Sequence, residues 1–296
     1  IMTAFADIND RLKVLQHYKR TIASRYRALT QDDFEELPQG RYSVSPKIDG
    51  QLWFAWVSSE GVELLNRNGR TLNNEAPVCQ ELNRLLKNAG LNTVLAGELF
   101  AIPSSKTRPR VGDIAAALGS DGDLKRVGFQ AFDVVLHSGE PPPDDYAVRQ
   151  EHLTTWFNGG KRAQFVKTQA TAASEIPTLY AEYVASGKAE GLIARADDGR
   201  IYKIKPKFSV DCLVLGYTHK HDDEKAARSL LLGLERPDGQ IQVVGSCGNL
   251  GSDSDREALA AKLEKTIIDS EFRKVASSGA LYKLCAPSLV VEMKSA

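Results

Sequence analysis

The apolar positions change period several times along the chain, and each change marks an element. Over residues 8–29, Leu12, Val14, Leu15, Ile22 and Tyr26 recur at near-helical spacing among Lys and Arg, which predicts an amphipathic N-terminal helix of accessory character. From Tyr42 the period shortens. YSVSPKIDG, QLWFAWVSS and VELLNRNG read as three strands of a meander, the last closing on an Asn-Gly turn. A helix is expected over 75–89, a buried strand in TVLAGELF, a short helix in GDIAAAL and a strand with a nearly continuous apolar face in VGFQAFDVVL. SGEPPPDD must be a loop, because consecutive prolines remove backbone donors and forbid helix. Helices over 146–157 and 173–186 follow, with a strand over 164–166 between them, and then two strands, GLIAR and IYKIK, joined by the turn ADDG.

Beyond Lys207 the texture becomes all-β. DCLVLGYTH, SLLLGLER, IQVVGSCG and SLVVEMK read as strands and 253–268 as a charged helix, which suggests a small closed barrel with the OB-fold as leading candidate. The fold class is therefore α+β, with domains at 1–207 and 208–296. A chain of 296 residues suits two domains at roughly 100–200 residues each. Neither a repeat nor a low-complexity tract interrupts it.

Composition excludes more than it assigns. With 42% hydrophobic and 26% charged residues, the chain has the make-up of a soluble globular protein rather than a disordered or fibrous one. No apolar run approaches the roughly 20 residues that cross a bilayer, and residues 1–10 lack a secretory pattern, so an intracellular, cytoplasmic protein with no membrane partner is expected. Lys plus Arg and Asp plus Glu both number 38, so any surface for a polyanion must be local. The cysteines, Cys79, Cys212, Cys247 and Cys285, form no CxxC pair and are expected to be reduced and mostly buried.

Several strand ends carry a charged residue inside an apolar run, where it costs burial energy unless it is paired or used. These are Lys47 in SPKIDG, Arg67 in LNRNGR, Glu98 in LAGELF, Asp133 in FQAFDVV, Glu190 in AEGLIAR and the pair Lys203 and Lys205 in IYKIK. Strand alternation puts Lys203 and Lys205 on one face, a concentration of positive charge that calls for an anion. Lys47, beside Asp49 and followed by Gly50, has the setting of a nucleophilic amine. For any one of these residues alone, an exposed face or a structural ion pair is the commoner explanation.

Taken in order, KIDG, NRNG, GELF, FQAFD, EGLIAR and KIKPK resemble the covalent nucleotidyltransferase superfamily of polynucleotide ligases and capping enzymes, and most closely its ATP-dependent DNA ligases. The resemblance covers Lys47 to Lys207 and continues through DCLVLGYT, VVGSCGNLG and PSLVVEM, which are similar to the OB domain that follows in DNA ligases. It implies an ATP-grasp-like ligase domain of antiparallel sheets with flanking helices. It also implies a reaction in which Lys47 attacks the α-phosphorus of ATP, AMP passes to a 5′-phosphate at a nick in duplex DNA, and the 3′-hydroxyl displaces AMP. Lys203 and Lys205 would bind phosphates and, by their charge, favour the neutral amine of the nucleophile. By the same resemblance Glu98 would hold a ribose hydroxyl, Arg67 the sugar or phosphate side, Phe132 would stack on adenine, and Glu190 would carry Mg2+ or Mn2+. Lys106, Arg108 and Arg110 in SSKTRPR are candidates for DNA phosphate contacts. A monomer acting in DNA repair is expected.

Two departures bear on this. Leu52 stands where DNA ligases commonly carry an arginine, which several RNA ligases lack too, and the basic motif that follows the last OB strand in DNA ligases is not visible, so a truncated C-terminus is expected. The short segment before Lys47 implies a compact enzyme without a large helical DNA-binding domain. An ATP-dependent RNA ligase is the first alternative; an OB-type binding module with an inactive nucleotidyl domain and a capping guanylyltransferase are the others.

Overall fold

A strand that is buried on both faces cannot alternate polar with apolar, and this accounts for the long apolar runs noted above. The structure, a computed structural model, describes residues 7–103 and 108–295. It divides into two compact units, one running through Pro206 and the other spanning Lys207–Ser295.

In chain order the first unit comprises α1 (Ile8–Arg25), β1 (Tyr26–Thr30), β2 (Arg41–Lys47), β3 (Gln51–Ser58), β4 (Gly61–Leu65), β5 (Thr71–Leu72), α2 (Pro77–Leu85), β6 (Val94–Ala101), α3 (Val111–Ala117), β7 (Val127–Leu136), α4 (Tyr146–Trp156), β8 (Ala163–Phe165), β9 (Gln169–Ala172), α5 (Ile176–Tyr180), β10 (Gly191–Ala196) and β11 (Ile201–Lys205). One sheet has the order β1-β11-β10-β2-β9 and the other β5-β4-β3-β6-β7-β8. In β3, Trp53, Ala55 and Val57 join Val78, Leu82 and Ile114 in one core, while Phe54 and Trp56 pack with Leu15 and Tyr18 of α1 in another. The first sheet has its own core, where Val44, Leu192 and Ile204 meet Ile176 and Leu179 of α5.

Three sequence expectations are corrected here. The N-terminal helix ends at Arg25, and Tyr26–Thr30 form β1, parallel to β11 with Tyr26 opposite Ile201 and Ala28 opposite Lys203. The helical spacing runs on into Tyr26, but a partner strand far along the chain captures these residues. Helix α1 is also no accessory. Leu15 is fully buried, which is worth about 1.5–3 kcal/mol, and the buried Tyr18 donates its hydroxyl to Asp133 Oδ2 at 2.8 Å. The expected helix over 173–186 holds only in part: α5 is preceded by a 3-10 turn and runs on into a wider π turn over Ala181–Ala185.

The second unit comprises β12 (Phe208–His219), β13 (Ala227–Glu235), β14 (Ile241–Cys247), α6 (Asp253–Glu264), β15 (Lys283–Leu284) and β16 (Val290–Ser295). Its first strand is long enough to serve two partners on one edge. β16 pairs with Phe208–Leu213, a bulge bends β12 near Val214, and β15 pairs with Gly216 and Tyr217, while β13 takes the other edge. That sharing of a long, bent first strand is how a five-stranded OB barrel is wound. Closure was expected and does not occur: among the described residues β14 pairs only with β13, so the barrel is partly open. Cys212 and Cys285 lie in its core, Cys79 in that of the first unit, and all four cysteines are free. No helix among the described residues is long and apolar enough to cross a membrane.

Candidate active site

Strand register brings the lysines together. Lys47 lies opposite Gly191 and Ser45 opposite Ile193, and Ile193 in turn faces Lys203 on β11. Because side chains alternate along a strand, Ser45, Lys47, Ile193, Lys203 and Lys205 share one face of the first sheet. Two glycines make room for the groups around them. A Cβ on Gly191 would lie 2.5 Å from the Ile204 carbonyl oxygen and 3.1 Å from Lys205 Cγ, and a Cβ on Gly50 would lie 2.3 Å from the Leu99 carbonyl oxygen and 2.9 Å from Glu98 Cγ. The glycines of EGLIAR and KIDG therefore let neighbouring strands close on the site.

The charges fall into two arrangements. The Glu190 carboxylate accepts from Lys47 Nζ through Oε2 and from Lys205 Nζ through Oε1, the latter at 2.9 Å. Burial works against the Glu190 carboxylate, but the hydrogen bonds from the two lysines outweigh it and hold its pKa below the ordinary value. Glu98 goes the other way. Burial pushes its carboxyl up to about 7 against the pull of Lys47 and the Gly50 N–H. Lys203 is lowered by burial and by the positive charges of Lys47 and Lys205, and its Nζ sits 3.5 Å from the centre of the Tyr26 ring.

A cavity of about 330 Å³ opens beside these groups, at the small end of the range for small-ligand sites. Lys47, Glu98, Phe132 and Lys203 line it. Glu190 and Lys205 do not line it but are joined to Lys47 through the ion pairs. Arg67 is not brought in: it lies exposed on the turn between β4 and β5. Arg108 is not a free cation, because its Nη1 pairs with Asp49 Oδ2 at 3.0 Å; Arg110 caps α3, and Lys106 lies outside the described residues. Asp133 is a structural carboxylate, held by Tyr18, by Arg149 Nε at 2.7 Å and by the Val134 N–H.

A family model described as the ATP dependent DNA ligase domain matches residues 20–209. The chain belongs to this family. Among curated relatives it is similar to DNA ligase C1 of Mycolicibacterium smegmatis, 27% identical over 79% of this chain and 71% of the relative, and to DNA ligase C of Mycobacterium tuberculosis, 24% identical over 76% of this chain and 66% of the relative. The chain thus spans about two-thirds of the length of such relatives. The fold is shared with the solved structure named Pmar-Lig_Pre (TM-score 0.63, 19% identity, 88% of this chain and 65% of that one) and with a Lig E DNA ligase (TM-score 0.55, 20% identity, 78% and 86%).

Seen as a ligase domain, the chain draws part of its cavity wall from residues that sequence reasoning passed over. Tyr18, Lys19 and Ile22 of α1, Tyr26 of β1 and Arg195 of β10 all line it. Arg195 lies 4.4 Å over the ring of Tyr146 in α4. Ile22 and Tyr26 did stand out in the apolar stripe of the N-terminal segment, but spacing cannot say which cavity such a stripe faces.

The divalent ion that such ligases use can be tested against the donor set. Glu98 and Glu190 are near enough to raise the Glu98 pKa through their mutual repulsion, and among the described residues no group of three or more His, Cys, Asp or Glu side chains could hold a metal. Few hard oxygen donors beside a cluster of lysines fit Mg2+, which is held mainly by water and substrate phosphates.

Proposed function

We propose that this chain is an ATP-dependent DNA ligase that seals nicks in duplex DNA through a lysyl-AMP intermediate on Lys47. What supports this reading above all is the convergence of Lys47, Glu98 and Lys203 on one cavity, with Glu190 and Lys205 joined to Lys47 by ion pairs, in a chain of the DNA ligase family.

In the first step Lys47 Nζ attacks the α-phosphorus of ATP. The N–P bond forms, the bond to the pyrophosphate oxygen breaks, and the proton leaving Nζ has the Glu190 carboxylate within hydrogen-bond reach. Lys203 and Lys205 bind the phosphates and offset the charge that builds on them. Phe132 stacks on the adenine, and Glu98 accepts from a ribose hydroxyl; a carboxyl with a pKa of about 7 can also donate at neutral pH. Glu190, with Glu98 near it, would hold Mg2+ or Mn2+, which supplies charge neutralisation on the phosphates. In the second step the AMP passes to the 5′-phosphate of the nick, and in the third the 3′-hydroxyl attacks that phosphorus and releases AMP. The OB-like unit clamps the duplex, and the protein works as an intracellular monomer in DNA repair.

Sealing of nicked duplexes in which the two strands are DNA or RNA tests the assignment. Ligated DNA in an ATP-dependent reaction is expected. Leu52, an apolar side chain on the cavity wall, is the observation that favours the second reading, an RNA ligase, and preferential joining of RNA would shift the assignment there. No joining of either would refute both.

A further inference from the structure

The three lysines of the site are held in two different ways. Lys47 and Lys205 share the Glu190 carboxylate, whereas Lys203 has no carboxylate partner among the described residues and rests on an aromatic ring. We propose that Tyr26 is a positioning residue for Lys203, its ring face holding the ammonium at the cavity wall without neutralising it. This rests on the reading of Lys203 as a phosphate-binding group.

The difference matters because a carboxylate partner competes with phosphate for the same ammonium, while a ring face does not. The π face attracts the cation through its quadrupole and cancels none of its charge. An ammonium has three N–H donors, and a ring occupying one side leaves the others for phosphate oxygens. At 3.5 Å from the ring centre, Lys203 Nζ is well inside the roughly 6 Å range of such contacts. The placement follows from the backbone. Tyr26 caps the C-terminus of α1, where φ −73° and ψ 137° turn the chain from helix to strand, and β1 then runs parallel to β11 with Ala28 opposite Lys203. Helix α1 is itself fixed through Tyr18 and Asp133. The N-terminal segment thereby fixes one of the cations of the site.

The test replaces Tyr26 by Phe and by progressively fluorinated Phe, which weakens the ring quadrupole at nearly constant shape, and adds Tyr26→Leu. Two rates or affinities are read: single-turnover formation of the lysyl-adenylate, and calorimetric ATP binding by the Lys47→Ala protein, which does not depend on the covalent step. Tyr26→Phe should stay within about twofold of the parent, and the fluorinated series should fall stepwise to about tenfold below it, the scale of a cation–π contact. Thermal midpoints should hold constant across the series. Flat values across it would overturn the proposal, and so would losses that track falling midpoints, which is the pattern of a purely structural ring. Failure of the parent protein to form any adenylate while ATP binding still follows the series would instead refute the assigned function and leave the role of Tyr26 standing.

Discussion

Replacing Glu98 by Gln should stabilise the nucleotide-free protein at pH 8 and leave its stability near pH 4.5 unchanged. The sign follows from the direction of the shift. Burial raises the Glu98 carboxyl from 4.5 to about 7, so between those values the folded state binds more protons than the unfolded chain, and stability falls as the pH rises through that window. A shift of this size corresponds to about 3 kcal/mol, fully lost above pH 7. Glutamine keeps an acceptor for the Gly50 N–H and cannot ionise, so Glu98→Gln should recover up to that amount at pH 8. Urea unfolding followed by tryptophan fluorescence is suited to the measurement, because Trp53, Trp56 and Trp156 all belong to the first unit, Trp53 and Trp56 being fully buried. The protein is first treated with pyrophosphate to remove any bound AMP. A Glu98→Gln protein that matches the parent at both pH values, or is less stable at pH 8, would show that burial does not raise the Glu98 carboxyl.

Gly50→Ala should cost about 1–3 kcal/mol in the same urea assay, since the added methyl group would overlap the Leu99 carbonyl oxygen across the strand gap. Tyr18→Phe should cost about 1–3 kcal/mol by removing a buried donor from Asp133, visible as a lower unfolding midpoint. Glu190→Gln should raise the Mg2+ concentration needed for half-maximal adenylation about tenfold, the scale on which changes around a metal site act, as read from a metal titration.

Much of the fold is legible where the determining interactions are local. The apolar runs of QLWFAWVS and VLAGELFA mark strands because side chains on both faces find a core, and the period of two in IYKIK is enough to place Lys203 and Lys205 on one face. What could not be read depends on distant partners. Tyr26–Thr30 continue a helical spacing and become strand because β11 pairs with them. Asp133 and Glu98 give the same signal in sequence, a carboxylate within an apolar run. Only the folded chain separates them: Tyr18, Arg149 and the Val134 N–H hold Asp133, whereas Glu98 looks into a cavity with Lys47 nearby. Likewise the turn sequence NRNG points to chemistry at Arg67 but cannot reveal that its side chain stands outside the cavity wall. The partly open barrel was beyond reach for a similar reason, because strand closure is decided by the edges and not by the alternation within β14.

The chemistry stands on a covalent bond at one amine, and peptide mass mapping after incubation with ATP and Mg2+ locates that bond. AMP is expected on the peptide that contains Lys47, removed by pyrophosphate and absent from Lys47→Ala, which should still seal a nick supplied already adenylated. AMP attached to another residue, or an adduct that persists in Lys47→Ala, would contradict it.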